Sequence, residues 1–225
     1  MDASYCLIPA VQDSPALRRA QASCLSDGWD VFTHFDPTRR GEQAAREAAF
    51  DTWALFDPVQ FIRYLDDDDL LLPHRQQVQE VFRADPTVDV VYLDYLTRVP
   101  GEADRTTGFT GVAAEAIMTV HPWVWVARKS ALLKVRQAFG TVWEVGGDHR
   151  LGGRLFFRFI RLGLKLHYLP GVPSVLHHWG FDPAALSRSP EVYAAGLRLQ
   201  EEIQAYFPAR LPVAEQSYHV GGGAP

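Results

Sequence analysis

FIRYLDDDDLLLP, residues 61–73, decides how this 225-residue chain is read. Phe61 to Leu65 are apolar or aromatic apart from Arg63, so they read as a buried strand, and the strand stops at four consecutive carboxylates, Asp66 to Asp69. The acids therefore stand at a strand's C-terminal end. In an open α/β sheet that edge is where ligands bind, and adjacent carboxylates repel one another at neutral pH unless a cation joins them. A hard divalent cation, Mg²⁺ or Mn²⁺, suits such a cluster; the alternative is a solvated acidic turn.

Working outward, strands and helices alternate. Tyr5 to Ala10 is a short apolar strand, and Ser14-Pro15 supplies an N-cap and a first-turn proline for a helix burying Leu17, Ala20, Cys24 and Leu25. Asp27-Gly28 turns into a strand, Trp29 to Phe35, that ends at Asp36-Pro37, and residues 41–50 form an alanine-rich helix. Beyond the acids come a helix, His74 to Ala84, and a strand, Val88 to Leu96. This spacing is that of right-handed βαβ units, so the expected fold class is α/β, a mostly parallel sheet with helices on both faces.

In the second half, Gly101 to Met118 reads as a long mobile loop, a candidate lid. His121 to Ala127 is a strand carrying Trp123 and Trp125 on one face, and Ser130 caps a helix through Val135. A helix from Leu151 stops at Gly163. Two short strands follow, Lys165 to Leu169 and Val172 to Leu176, the second ending in His177-His178-Trp179. Residues 1–180 are read as one domain, and 181–225 as a C-terminal helix with a flexible glycine-rich tail.

A hydrophobic content of 47% is enough for one well-formed core. A net charge of −5, with no Lys/Arg block, argues against a general nucleic-acid binder. No apolar run approaches the roughly 20 residues of a membrane span, and the N-terminus lacks a signal-peptide pattern, so a cytoplasmic location is expected. Cys6 and Cys24 read as small buried hydrophobes.

Ala44-Ala45-Arg46-Glu47-Ala48-Ala49 followed by the acidic strand resembles a signature of nucleotide-sugar glycosyltransferases of the GT-A fold, specifically the inverting family 2. Gly147-Asp148, then Arg154, then Gly163 to Pro170 resembles the family's later motifs, so the likeness spans residues 5 to 180 in order. The resemblance implies a GT-A domain whose residues 1–100 hold the nucleotide sugar and 101–180 the acceptor. Its activity would be metal-dependent, inverting transfer from a nucleoside-diphosphate sugar, most commonly a UDP-sugar, to an acceptor hydroxyl, with Mn²⁺ or Mg²⁺ as cofactor. The acceptor is left open between a glycan, a lipid-linked sugar, a protein side chain and a hydroxylated nucleobase in DNA.

Residue by residue, the resemblance makes Asp68 the first metal ligand, with His177 or His178 closing the metal or diphosphate site. Neighbouring residues on an extended strand point to opposite faces, so all four acids cannot reach one ion; Asp66 is assigned to the ribose or a metal-bound water, and Asp67 lies beside the donor. Asp36 is matched to the nucleotide's base or ribose, and Pro9-Ala10 to the loop that cups the base. Arg46 faces the diphosphate or pairs with Glu42 one turn back. Asp148 is matched to the general base, and Arg154 to the acceptor half. Among the tryptophans, an exposed one is expected to form an acceptor platform, with Trp123 the best placed at its strand's start. Where the family has Glu before the base, this chain has Gly147.

Two other classes compete. A nucleotidyltransferase would want a Gly-rich phosphate loop near the N-terminus, which residues 8 to 16 do not offer. A non-catalytic Ca²⁺ module would want the 12-residue calcium-loop spacing, which is missing.

Overall fold

A computed structural model describes residues 3–37, 42–54, 59–109, 117, 120–144, 152–178, 198–199 and 201–207. Expectations for Asp148, for most of the segment after Phe109, for Trp179 and for the tail fall outside these residues. The strands are β1 (Ala3–Ala10), β2 (Asp30–Phe35), β3 (Val59–Tyr64), β4 (Leu70–Leu71), β5 (Val90–Arg98), β6 (Arg105–Thr107), β7 (Trp125–Arg128) and β8 (Leu166–His178). They form one sheet in the order β2-β1-β3-β7-β5-β8-β4, with β6 paired to β5. β1 is parallel to β2 and β3, and β5 is parallel to β8. β7 runs antiparallel to both β3 and β5, so β1, β2, β3, β5 and β8 share one direction. The mostly parallel α/β sheet read from the sequence is the sheet observed.

The helices are α1 (Pro15–Ser26), α2 (Glu42–Ala49), α3 (Arg75–Ala84), α4 (Lys129–Phe139) and α5 (Gly152–Arg161). α1 starts where Ser14-Pro15 dictates: the Ser14 hydroxyl accepts the Leu17 N–H at 3.0 Å, and the proline occupies the first turn where no amide is needed. Ser130 is not a cap, because α4 begins one residue earlier after Arg128; its other end is closed by Gly140, whose φ of 81° suits glycine. α2 continues into one π-type turn, Phe50–Ala54. α1 touches β2 at one edge of the sheet and β4 at the other, where Leu71 N–H donates to Ser23 Oγ at 3.0 Å. The sheet therefore curls around that helix.

Two departures from the sequence reading come from hydrogen bonding across sequence distance. The start of the expected loop is a hairpin: Arg105–Thr107 pairs antiparallel with Tyr95–Thr97, and Arg98 grips Asp104 with two bonds of 2.8 and 2.7 Å. The two short strands after Gly163 are one strand with a bulge. Leu169 pairs with Leu93 but Pro173 with Asp94, and Gly171, at φ 74°, donates its N–H to the buried Asp94 carboxylate at 2.7 Å. Tyr168 donates its hydroxyl to the same carboxylate at 2.5 Å.

The core runs through the sheet, with Leu7, Ile8, Ile62, Tyr64, Val91, Trp125 and Trp143 all buried. Near the end of the chain, Leu199 and Ile203 bury against it as the helical periodicity requires. Cys6 and Cys24 are buried free thiols, 3.3 Å apart at sulfur.

Candidate functional site

Strand direction assembles the site. Since β1, β2 and β3 are parallel, their carboxyl ends share one edge: Asp36 N–H donates to the Ala10 carbonyl at 2.8 Å, and Leu65 N–H to that of Leu7 at 3.1 Å. β8 runs the same way, so His177 and His178 reach the same edge. Pro9, Ala10, Asp36, the four acids and both histidines, separated by up to 169 residues of sequence from Pro9 to His178, are thereby brought to one edge of the sheet.

The four carboxylates divide into two inner and two outer groups. Asp66 accepts from Arg46 at 2.5 Å, and the Arg46 side chain is wholly buried, its guanidinium 5.3 Å above the Trp143 ring. Among the described residues, Arg46 thus pairs with the first acid of the run, and the Glu42 side chain lies outside them. Asp69 is also wholly buried at its side chain. Both its oxygens lie 3.0 Å from His177 Nδ1, and one accepts the His178 backbone N–H at 2.9 Å. Asp67 is partly buried and Asp68 reaches solvent, and the described residues make no ion pair to either. Burial first, then the charges of Asp66 and Asp69, push Asp67 up to about 6. Although Asp68 reaches water, the protein atoms packed around its base and then the carboxylates of Asp69, Asp66 and Asp67 push it up to about 7. The outer pair stands in crowded negative charge, which the nearby Arg46 offsets in part at Asp67 and His177 in part at Asp68.

The histidines are oriented by fixed acceptors. His178 Nδ1 lies 2.9 Å from the Asp68 carbonyl, which only accepts, so the proton belongs on Nδ1 and the lone pair on Nε2. Asp69 imposes the same tautomer on His177. Burial alone would lower the His177 pKa, but the Asp69 hydrogen bond and charge, followed by Asp66 and Asp68, raise it. Among the described residues, no group of three or more His, Cys, Asp and Glu side chains stands ready to hold a metal ion. Mg²⁺ and Mn²⁺ sites in phosphate-handling proteins typically use one or two carboxylates and complete the shell with water and phosphate oxygens, and the chemistry of the outer acids fits that sparse donor set.

Trp123 does not present a ring to solvent. It is 1% exposed, stacked on His121 at 4.6 Å and lying 4.9 Å from His177. The expected exposed platform is instead the packing that clamps His177. The reason is local: residues 121–124 form a turn rather than the start of a strand, and the Trp123 carbonyl accepts from the buried Arg63 at 2.7 Å. Arg63 also bonds to His74, which burial and that guanidinium keep neutral, with its pKa well below the usual imidazole value. Arg154, matched to the acceptor half, directs its guanidinium onto Glu202, with bonds of 3.1 to 3.2 Å, tying α5 to the last helix.

The sequence reading missed three groups. Asp69 was counted with its neighbours but is the inward partner of His177, 108 residues on. Glu47, taken only as part of a helical motif, accepts the backbone N–H groups of Val142 and Trp143 at 3.2 and 2.7 Å, and so anchors to α2 the segment that leads toward Asp148. Asp94 was read as an ordinary strand residue. Its cue is a carboxylate in the middle of the apolar run Val90 to Leu96.

The fold is the GT-A fold of nucleotide-sugar glycosyltransferases. Among solved structures, S. aureus TarS 1-349 in complex with UDP-GlcNAc is similar to this chain with a TM-score of 0.63 at 14% identity, covering 93% of this chain and 68% of that one. The same protein in complex with UDP gives 0.62 at 15% identity, covering 93% and 67%. A197 from STIV gives 0.50 at 13% identity, covering 77% and 83%. No protein-family model and no curated protein sequence matches the chain. No described helix is long and apolar enough to cross a membrane.

Proposed function

We propose that this protein is a metal-dependent, inverting glycosyltransferase that moves a sugar, of hexosyl type, from a nucleoside-diphosphate sugar to an acceptor hydroxyl. The observation that carries the reading is the outer acid pair, Asp67 and Asp68, crowded by neighbouring carboxylates at the carboxyl edge of β3 in a GT-A fold. That the similar TarS structures hold UDP-GlcNAc and UDP supports a UDP-sugar as donor. Mn²⁺ or Mg²⁺ would supply Lewis-acid neutralisation of the charge that develops on the leaving diphosphate.

In this reading Asp68 is the direct cation ligand, and His177 or His178 closes the metal or diphosphate site. Arg46 fixes Asp66 for the ribose or a cation-bound water. Asp36, buried beside Ala10, recognises the base or ribose, and Pro9-Ala10 forms the floor under the base. Asp148 takes the acceptor hydroxyl's proton as that oxygen attacks the anomeric carbon from the face opposite the diphosphate, which inverts the configuration.

The test is a thermal-shift screen of nucleoside diphosphates and their sugars with Mn²⁺ or with EDTA. A ligand at 100 times its Kd adds about 2.7 kcal/mol, a rise of roughly 5–10 °C for a chain of this size. A Mn²⁺-dependent rise with UDP or a UDP-sugar is expected; no rise with any nucleotide in the presence of Mn²⁺ would overturn the proposal.

A further inference from the structure

We propose that Cys6 and Cys24 form a redox-sensitive staple: a peroxide oxidises the two buried thiols to a reversible disulfide bond that ties β1 to α1 and stabilises the fold. The inference is independent of the glycosyl-transfer reading.

The two sulfurs lie 3.3 Å apart, with Cys24 donating to Cys6, and both side chains are buried. A disulfide places its sulfurs about 2 Å apart, so bonding asks for a closure of about 1 Å. Cys6 stands in β1 and Cys24 in the last turn of α1, so the bond would join two elements through residues 18 apart in sequence.

A buried cation beside the pair supports the chemistry independently. Cys6 and Arg63 are register partners on the parallel strands β1 and β3, so their side chains project to the same face of the sheet. Arg63 is wholly buried, and its hydrogen bonds run to the His74 ring and the Trp123 carbonyl, neither of them anionic, and to the Cys6 sulfur. Among the described residues no carboxylate pairs with Arg63, and Asp27 attracts it through space without a hydrogen bond. A buried charge is costly without a counter-charge, and the Cys6 sulfur, as a thiolate, supplies one. Burial by itself would raise the Cys6 pKa, but the Cys24 S–H bond and then Arg63 bring it below the usual thiol value. Cys24 is pushed well above that value, first by the same bond and then by burial. One sulfur is thus the nucleophile and the other holds the proton.

The Cys6 thiolate displaces hydroxide from hydrogen peroxide and becomes a sulfenic acid. The Cys24 sulfur then attacks that sulfur, its proton leaving with the sulfenic oxygen as water. In sum, two thiols and one peroxide give one disulfide and two waters. A thiol reductant reverses the bond by exchange. Since both sulfurs are buried, the reaction waits on local opening where α1 ends and is slow.

The experiment treats the native protein with hydrogen peroxide, removes the excess, and measures free thiols after denaturation, intact mass, disulfide-linked peptides and melting temperature, for wild type and Cys24→Ala. We expect both wild-type thiols to disappear, the mass to fall by two hydrogen atoms, and a peptide map that joins Cys6 to Cys24 within one chain. The melting temperature should rise by roughly 6–12 °C, the gain of closing a loop of this length in a chain of this size. Dithiothreitol should reverse every change, and Cys24→Ala should show no rise. Two thiols that persist in the oxidant-treated native protein, a mass gain from oxygen in place of the loss, linkage between chains, or an equal rise in Cys24→Ala would overturn the inference. So would a linked protein that melts no higher than the reduced one. If Cys24→Ala does not fold, the wild-type peptide map and melting temperature decide alone.

Discussion

Arg46→Met removes a guanidinium that is wholly buried between Asp66 and the Trp143 ring. Breaking a buried ion pair by deleting one partner costs about 3–5 kcal/mol, because the remaining charge is stranded. Asp66 is 25% exposed at its side chain, so water recovers part of that loss and the electrostatic cost falls to about 2 kcal/mol. Loss of the cation–π contact adds about 0.5–1 kcal/mol, for a total near 3 kcal/mol. With a urea slope of about 2–3 kcal/mol per M, the unfolding midpoint should fall by roughly 1–1.5 M with the slope unchanged. The double variant Arg46→Met/Asp66→Asn should recover at least half of the loss, since the stranded charge is gone and the methionine fills the space. A single variant within about 0.5 kcal/mol of wild type, or a double variant no more stable than the single, would refute the view that Arg46 exists to compensate Asp66.

Two further outcomes follow from the same edge. In metal-free protein, Asp67→Asn should stabilise by about 1 kcal/mol at pH 8, well below the full value of its shift because the side chain is partly solvated. The folded pKa of Asp67, about 6, lies above the unfolded value, so the ionised wild-type side chain is penalised at high pH. The variant's advantage should therefore fade as pH drops through 6 and be absent by about pH 4; a pH-independent difference in denaturation midpoints would contradict the crowding. Asp148→Asn should retain Mn²⁺-dependent UDP binding while transfer falls by roughly 10² to 10⁴, because the amide keeps size and reach but cannot take a proton; transfer at the wild-type rate would remove Asp148 as the base.

What the sequence made legible is what local chemistry decides. An apolar run halted by four acids marks a strand's end, Ser14-Pro15 marks a helix start, and the alternation of strands and helices implies parallel β1, β2 and β3, hence one edge shared by Ala10, Asp36 and Asp66. The rest depends on partners far along the chain. Which acid points inward is settled by His177, 108 residues beyond Asp69, and no spacing within the DDDD run encodes it. Arg105–Thr107 is polar and exposed, so it carries no apolar signal as a strand; it pairs through backbone bonds and the Arg98–Asp104 bridge. Trp123 sits beside His121-Pro122, which reads as a strand entrance, but the buried Arg63 draws its carbonyl inward and the ring goes with the chain. The bulge in β8 reads as a break at Pro170-Gly171 because Asp94, whose carboxylate holds it, lies on another strand.

The central claim is that the acids at the end of β3 bind a nucleoside diphosphate through a divalent cation, with Asp68 as the direct ligand. Calorimetric titration of UDP into wild type and Asp68→Ala, each with Mn²⁺ and with EDTA, tests it most directly. The account calls for binding by wild type with Mn²⁺ only, and none by Asp68→Ala, whose melting temperature is equal to or above wild type because one repelling charge has gone. Equal UDP affinity in the two proteins, or affinity in wild type that EDTA leaves unchanged, would contradict it.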